Sequence, residues 1–139
     1  AIARNLAVMS TLKTRIIVVI SGEGGSGGAL ALGVGDHIAI LEYGTYSVAS
    51  PEACASIVWR ESDKAPEAAE AMKVGATDLK KIGIVDEIIL EPIGGAHKDY
   101  DAISRSIKSS LISNIAELSK FSLEDLLKRR YERLLKIGA

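Results

Sequence analysis

This chain of 139 residues has one cysteine, one tryptophan, one phenylalanine and two histidines. A lone Cys54 excludes an internal disulfide and fits a reducing compartment. Aromatics at 4% argue against a base-stacking platform for nucleic acid. A net charge of −1 exerts no global pull toward nucleic acid or an anionic membrane. No apolar run reaches the roughly 18 residues that a spanning helix needs, and no signal-peptide pattern precedes the first element. No membrane role is expected, and the expected location is the cytoplasm or, after processing, a plastid stroma. No cluster of His, Cys, Asp and Glu has metal-ligand spacing.

What remains is a globular balance, 47% hydrophobic and 25% charged, at a length suited to one domain with a real core. Charge is uneven along it. Residues 1–97 carry 8 basic and 12 acidic side chains, a net −4, and residues 98–139 carry 9 and 6, a net +3. A mildly basic tail on an acidic body reads as a contact surface.

Glycine is abundant, with 13 in all, and five fall within Gly22-Glu23-Gly24-Gly25-Ser26-Gly27-Gly28. The β-branched run Ile16-Ile17-Val18-Val19-Ile20 precedes them and Ala29-Leu30-Ala31-Leu32 follows. The pattern predicts a buried strand, a tight glycine turn and a helix start. Bare N–H groups at the positive end of a helix attract an oxyanion or a phosphate.

Three chemistries fit this turn. Gly22-x-Gly24-x-x-Gly27, with Glu42 about 20 residues on, fits a dinucleotide fingerprint. Gly24-x-Ser26-x-Gly28, followed by Asp86 and His97, fits a nucleophile elbow. Gly27-Gly28 at a helix start fits an oxyanion hole made of backbone donors alone. A close-packed turn without chemistry is the fourth reading.

Residues 1–12 read as an amphipathic helix with Ile2, Leu6, Met9 and Leu12 inward. A chain that opens on Ala1 inside such a pattern is expected to be a piece of a longer polypeptide. Residues 15–21 read as a strand buried on both faces, because its apolar run does not alternate. A small-residue helix over about 27–34 is expected to lead to a second strand at Ile38–Leu41, parallel to the first by a right-handed crossover. A third strand is expected at Thr45–Ala49. Ser50-Pro51-Glu52 carries the hydroxyl cap, first-position proline and early acid of a helix start.

Further helices are expected over 63–72 and, capped by Thr77-Asp78, up to Gly83. A last strand is expected over 84–90, and a turn-rich loop through His97 follows it. Beyond lie two amphipathic helices. Ile103, Ile107, Leu111, Ile115 and Leu118 stripe the first, and Leu123, Leu126, Leu127, Leu134 and Leu135 the second, which Ser122 and Asp125 cap.

The dinucleotide reading is weakened because alternation of strand and helix stops after Tyr46. The elbow reading lacks a base, since His37 lies at a strand start within reach of nothing expected. Cys54 reads as a small core residue, Glu23 as an exposed loop acid, and Lys128-Arg129-Arg130 as a solvated helix face. The oxyanion reading demands no side chain.

Several segments are similar to the carboxyltransferase α subunit of bacterial and plastid acetyl-CoA carboxylase. They are Ala1-Ile-Ala-Arg-Asn-Leu6, Gly22 to Leu30, Tyr46-Ser-Val-Ala-Ser-Pro-Glu52, Cys54-Ala-Ser-Ile-Val-Trp59, Lys64 to Glu70, and Glu91-Pro-Ile-Gly-Gly-Ala-His97. The tail from Tyr100 onward matches in character only.

The resemblance implies an α/β, crotonase-like (ClpP/crotonase) fold of ββα units. Residues 1–97 would be its C-terminal part and 98–139 a helical, partner-docking extension. It implies an enzyme that moves the carboxyl group from carboxybiotin on a biotin carboxyl carrier protein to acetyl-CoA. The product is malonyl-CoA, in the first committed step of fatty acid synthesis. No metal-bound base or covalent intermediate is implied. Two enolates develop, and each subunit of an α2β2 hetero-oligomer supplies one oxyanion hole.

On the biotin side the resemblance places Gly27 and Gly28. Ala29 is a neighbouring donor, and Gly24 and Gly25 shape the loop. Acetyl-CoA would be held mainly by the β subunit. The departures are Arg15 where the family has a proline nearby, Ala53 near a family glycine, and Ser21 at an apolar position. These bear on packing. The family's upstream half is missing, so the chain alone is expected to be inactive. The alternatives are a dinucleotide-binding module and a non-catalytic assembly fragment.

Overall fold

The computed structural model describes residues 2–138, so Ala1, the first residue of the expected N-terminal helix, and Ala139, the end of the tail, lie outside the described residues. Along the chain run α1 (Ile2–Thr11), β1 (Ile17–Ile20), β2 (Glu23–Gly25), α2 (Ser26–Gly33), β3 (His37–Leu41) and β4 (Thr45–Ser47). Then come α3 (Pro51–Trp59), α4 (Ala65–Met72), α5 (Ala76–Lys81), β5 (Glu87–Ile89), α6 (Tyr100–Leu118) and α7 (Leu123–Lys136). Strands β1, β3 and β5 form one parallel sheet in that order, and β2 pairs with β4, also parallel, in a second small sheet.

The parallel β1–β3 pair expected from strand–helix–strand order is present, in register from Ile17–His37 to Ile20–Ile40. The doubly buried strand, however, is β3. Its Ile38, Ala39, Ile40 and Leu41 are all closed off from solvent, because β3 has a strand on either side. β1 has one neighbour and alternates half-buried with buried residues. One face of the sheet packs Val18, Ile20, Ile38 and Ile40 against Ala76, Leu79 and Val85. The other packs Ala39, Leu41 and Ile89 against Ile103 of α6.

Several expected boundaries shift. The third strand stops at Ser47 and joins β2 rather than the main sheet. The last strand is three residues long, because Ile84 and Val85 are spent returning from α5, where both N–H groups donate to the Leu79 carbonyl. Thr77 and Asp78 lie inside α5, whose N-cap is Gly75. Ser50 does cap α3 through Ala53 N–H, and Ser122 caps α7 through Asp125 N–H. In α1, Leu6 and Met9 are half-buried and Ile2 is exposed, as is Leu12 just beyond its end.

The inward face of α6 runs through Ile103, Ile107, Ser110, Asn114 and Leu118, with Leu111 half-buried at its margin and Ile115 exposed. Uniform i+4 steps advance about 40° past each full turn, so that stripe drifts off the contact face. Ser110 and Asn114 each donate to Glu87 Oε2 at 2.8 Å, and His37 Nε2 lies 3.0 Å from the same oxygen. His37, expected to reach nothing, therefore belongs to the joint between the sheet and α6.

The largest correction concerns Lys128-Arg129-Arg130. Arg130 is buried, with its side chain 1% exposed. Its Nε donates to Asp36 Oδ1 and its Nη2 to Asp36 Oδ2, both at 2.8 Å. Nη1 reaches the carbonyls of Met9 and Leu12 at 3.0 Å, and Nη2 that of Thr14 at 2.8 Å. The guanidinium thus caps the C-terminal end of α1 while pairing with a buried acid. Asp36 also accepts the Ile16 N–H at 2.7 Å.

One α7 turn further on, Arg133 Nη2 lies 3.3 Å from Asp86 Oδ2, and Asp86 accepts the Ile38 N–H at 2.8 Å. Each aspartate ties the start of one parallel strand to the start of the one before it, and α7 locks both.

Removing one partner strands a buried charge, so Arg130→Met should lower unfolding stability by about 3–5 kcal/mol, read as a shift of the urea midpoint. For Glu87, loss of solvation raises the carboxyl pKa, but the Ser110, Asn114 and His37 contacts outweigh it and hold it below the ordinary 4.5. A depressed pKa adds stability above 4.5 that is lost as pH falls through the folded-state value. Thermal midpoints measured from about pH 6 to pH 3 should therefore fall less steeply below about pH 4.5 in Glu87→Gln than in the parent.

Candidate active site

The glycine stretch divides into two structures. Glu23–Gly25 form β2 against Thr45–Ser47, and the helix begins at Ser26. Ser26 has φ 54°, in the left-handed region, and turns the chain between strand and helix. No side chain caps α2; its N-cap is Gly25 in extended conformation. Ala29 N–H enters the first intrahelical bond, to the N-cap carbonyl, so Gly27 and Gly28 carry first-turn N–H groups without an intrahelical acceptor. They lie where the helix dipole is positive.

The glycines here differ in what holds them to that residue type. A Cβ on Gly24 would lie 2.8 Å from the Tyr46 ring, so the β2–β4 contact itself demands glycine. On Gly27 it would meet only the tip of Ile2, at 3.2 Å. On Gly28 it would meet nothing within 4 Å, and the backbone is not left-handed there. The fold alone gives no reason for glycine at 28. Gly28 is exposed and its Cβ side is empty, which leaves room for a ligand beside the turn.

The competing readings lose their partners. In a dinucleotide site Gly22–Gly25 would wrap a pyrophosphate and Glu42 would face a ribose. Here Gly22 O accepts the Thr45 N–H, residues 23–25 are strand, and Glu42 Oε2 accepts the Glu91 N–H at 3.1 Å. Ser26 has the left-handed backbone of an elbow, but no base reaches it. His37 is turned to Glu87, His97 is exposed in the turn Ala96–Lys98, and Asp86 holds Ile38 and Arg133. Cys54 is half-buried on α3, and Glu23 is exposed. Tyr46, given no role by any sequence pattern, packs on Gly24. Nothing short of the β2–β4 register, Gly24 opposite Tyr46, would have singled it out.

The parallel α/β core, with an uncapped glycine helix start after its first strand, has a crotonase-like fold. Across 93% of this chain and 51% of its own, the fold matches a Pseudomonas malonate decarboxylase hetero-tetramer solved in complex with coenzyme A. The TM-score is 0.65 at 15% identity, a likeness of fold.

The family follows from sequence: the chain belongs to the acetyl co-enzyme A carboxylase carboxyltransferase-like family, whose model matches residues 1–138. Acetyl-coenzyme A carboxylase carboxyl transferase subunit alpha of Photobacterium profundum is 56% identical over 138 residues, 99% of this chain and 43% of that protein. The subunit of the same name from Pseudomonas fluorescens is 58% identical, with 44% of its length covered. The chain thus spans less than half the length of these relatives. The match runs through the helical tail, so the tail is shared in sequence and not merely in character. Among the described residues, no helix is long and apolar enough to cross a membrane.

The glycine geometry separates two substitutions. Gly24→Ala forces the Tyr46 ring aside and should cost about 1–3 kcal/mol. Gly28→Ala, in a helix with open space, should change stability by less than about 1 kcal/mol. Paired urea titrations check both.

Proposed function

We propose that this chain forms the biotin-side wall of a carboxyltransferase site in an acetyl-CoA carboxylase. Its full-length parent would work with a β subunit, in an α2β2 assembly that receives a biotin carboxyl carrier protein. The observation that carries the reading is the open, uncapped first turn of α2 at Gly27 and Gly28 in a chain of this family. The single Cys54 suits the reducing cytoplasm or stroma in which such an assembly would act.

Carboxybiotin, when bound, would supply the carboxyl group and, at its ureido nitrogen, a base for the methyl proton of acetyl-CoA, with malonyl-CoA as the product. The part left to this chain is electrostatic. Gly27 and Gly28 N–H groups would donate to the ureido oxygen as negative charge builds there, reinforced by the positive end of α2. Fixed donors need no reorganisation as the charge develops, and one such donor contributes about 2.7–4 kcal/mol of transition-state stabilisation. Gly24 and Gly25 would shape the approach by keeping β2 flush against β4. Ala29, its N–H committed to the helix, would buttress the turn from the buried side. The acetyl-CoA pocket is assigned to the β subunit.

The test is biotin-dependent decarboxylation of malonyl-CoA by the full-length parent, co-expressed with the β subunit of the same genome. Activity should require both subunits. Gly28→Val should abolish turnover and leave assembly intact, because the side chain crowds the donor loop at a position where a Cβ meets nothing of the fold within 4 Å. Normal turnover in that variant overturns the assignment.

A further inference from the structure

Tyr46 touches both arms of the donor turn. On the strand side its ring occupies the space that a Cβ on Gly24 would take. On the helix side its hydroxyl donates to the Ala29 carbonyl, within the first turns of α2. The same oxygen lies 3.0 Å from where a Cβ on Gly33 would stand. One side chain thus accounts for two glycines, one before the turn and one after it.

The segment between those contacts, Gly25 to Gly28, has little stiffness of its own. It holds three glycines and a serine in the left-handed region, and no side chain caps it. Without a strut, those residues would have other backbone states open to them. Burial pushes the Tyr46 phenol up, opposed in part by the charge of Arg133. The hydroxyl therefore stays protonated, and a donor, through the neutral range.

We infer that Tyr46 is a positioning residue: by bolting α2 to β2 it fixes the direction of the Gly27 and Gly28 N–H groups. The inference rests on the donor reading proposed above. Tyr46 itself touches no reacting atom in this role.

Tyr46→Phe, in the full-length protein assembled with its partner subunit, keeps the ring and deletes the hydroxyl. kcat for malonyl-CoA decarboxylation should fall on the order of threefold to tenfold, the range one hydrogen bond spans, while KM stays within about twofold. Gly33→Ala attacks the same bond from the helix side. Its methyl crowds the hydroxyl while the substitution itself favours helix, so kcat should fall alike without loss of thermal stability. If Tyr46→Phe fails to assemble, Gly33→Ala alone decides.

A third variant, Gly28→Ala, alters the donor turn directly. Combined with Tyr46→Phe it should lose less than the product of the two single losses, because both act on the same donors. Full multiplicativity, or parental kcat in Tyr46→Phe and Gly33→Ala, overturns the Tyr46 role and leaves the donor reading standing. Parental kcat in Gly28→Ala overturns both.

Discussion

The Arg130–Asp36 pair is the interaction on which most of the architecture converges. A buried guanidinium is tolerated only when its charge is paired and its donors are satisfied. Here Asp36 takes two of the bonds, and carbonyls at the end of α1 and in the segment just after it, through Thr14, take the rest. Because Asp36 also holds the first amide of the β1 segment, one ion pair joins α1, β1, the α2–β3 turn and α7. Arg133 and Asp86 repeat the device one strand along, with softer geometry and more solvent. The uneven charge of the sequence finds an explanation here: two of the tail's basic side chains are complements to two of the body's acids.

Clamping the starts of β1 and β3 constrains what lies between them. The chain leaves β1 at Ile20 and re-enters the sheet at His37. In that interval it contributes a strand to a second sheet and crosses over as a helix of eight residues. So tight a route requires an abrupt change from strand to helix, and the left-handed Ser26 makes it. An abrupt start also leaves the helix uncapped. The uncapped start of α2 is thus a by-product of a short crossover between clamped strands.

The tail is structurally part of the body. α6 closes one face of the sheet through Ile103 and seats Ser110 and Asn114 on Glu87. α7 supplies both arginines. Membership of a carboxyltransferase family through residue 138 accords with that, since a sequence that carries the clamp cannot be shed without exposing Asp36 and Asp86.

Local chemistry was legible in the sequence. Ser50-Pro51-Glu52 and Ser122 announced their helices, the β-branched runs announced β1 and β3, and the glycines announced an uncapped helix start, though not the strand β2 within them. Each of these depends on residues within a few positions of one another. The chemistry of the turn stayed divided among three readings, because Gly22, Ser26 and Glu42 have the spacing of sites whose partners are distant in sequence. Only the tertiary structure showed Glu42 turned to Glu91, both histidines away from Ser26, and no fold contact that requires glycine at 28. It alone selected Arg130, rather than Lys128 or Arg129, for burial. Adjacent cations on a helix look alike in sequence, and which one faces Asp36 depends on how α7 lies across strands nearly a hundred residues away.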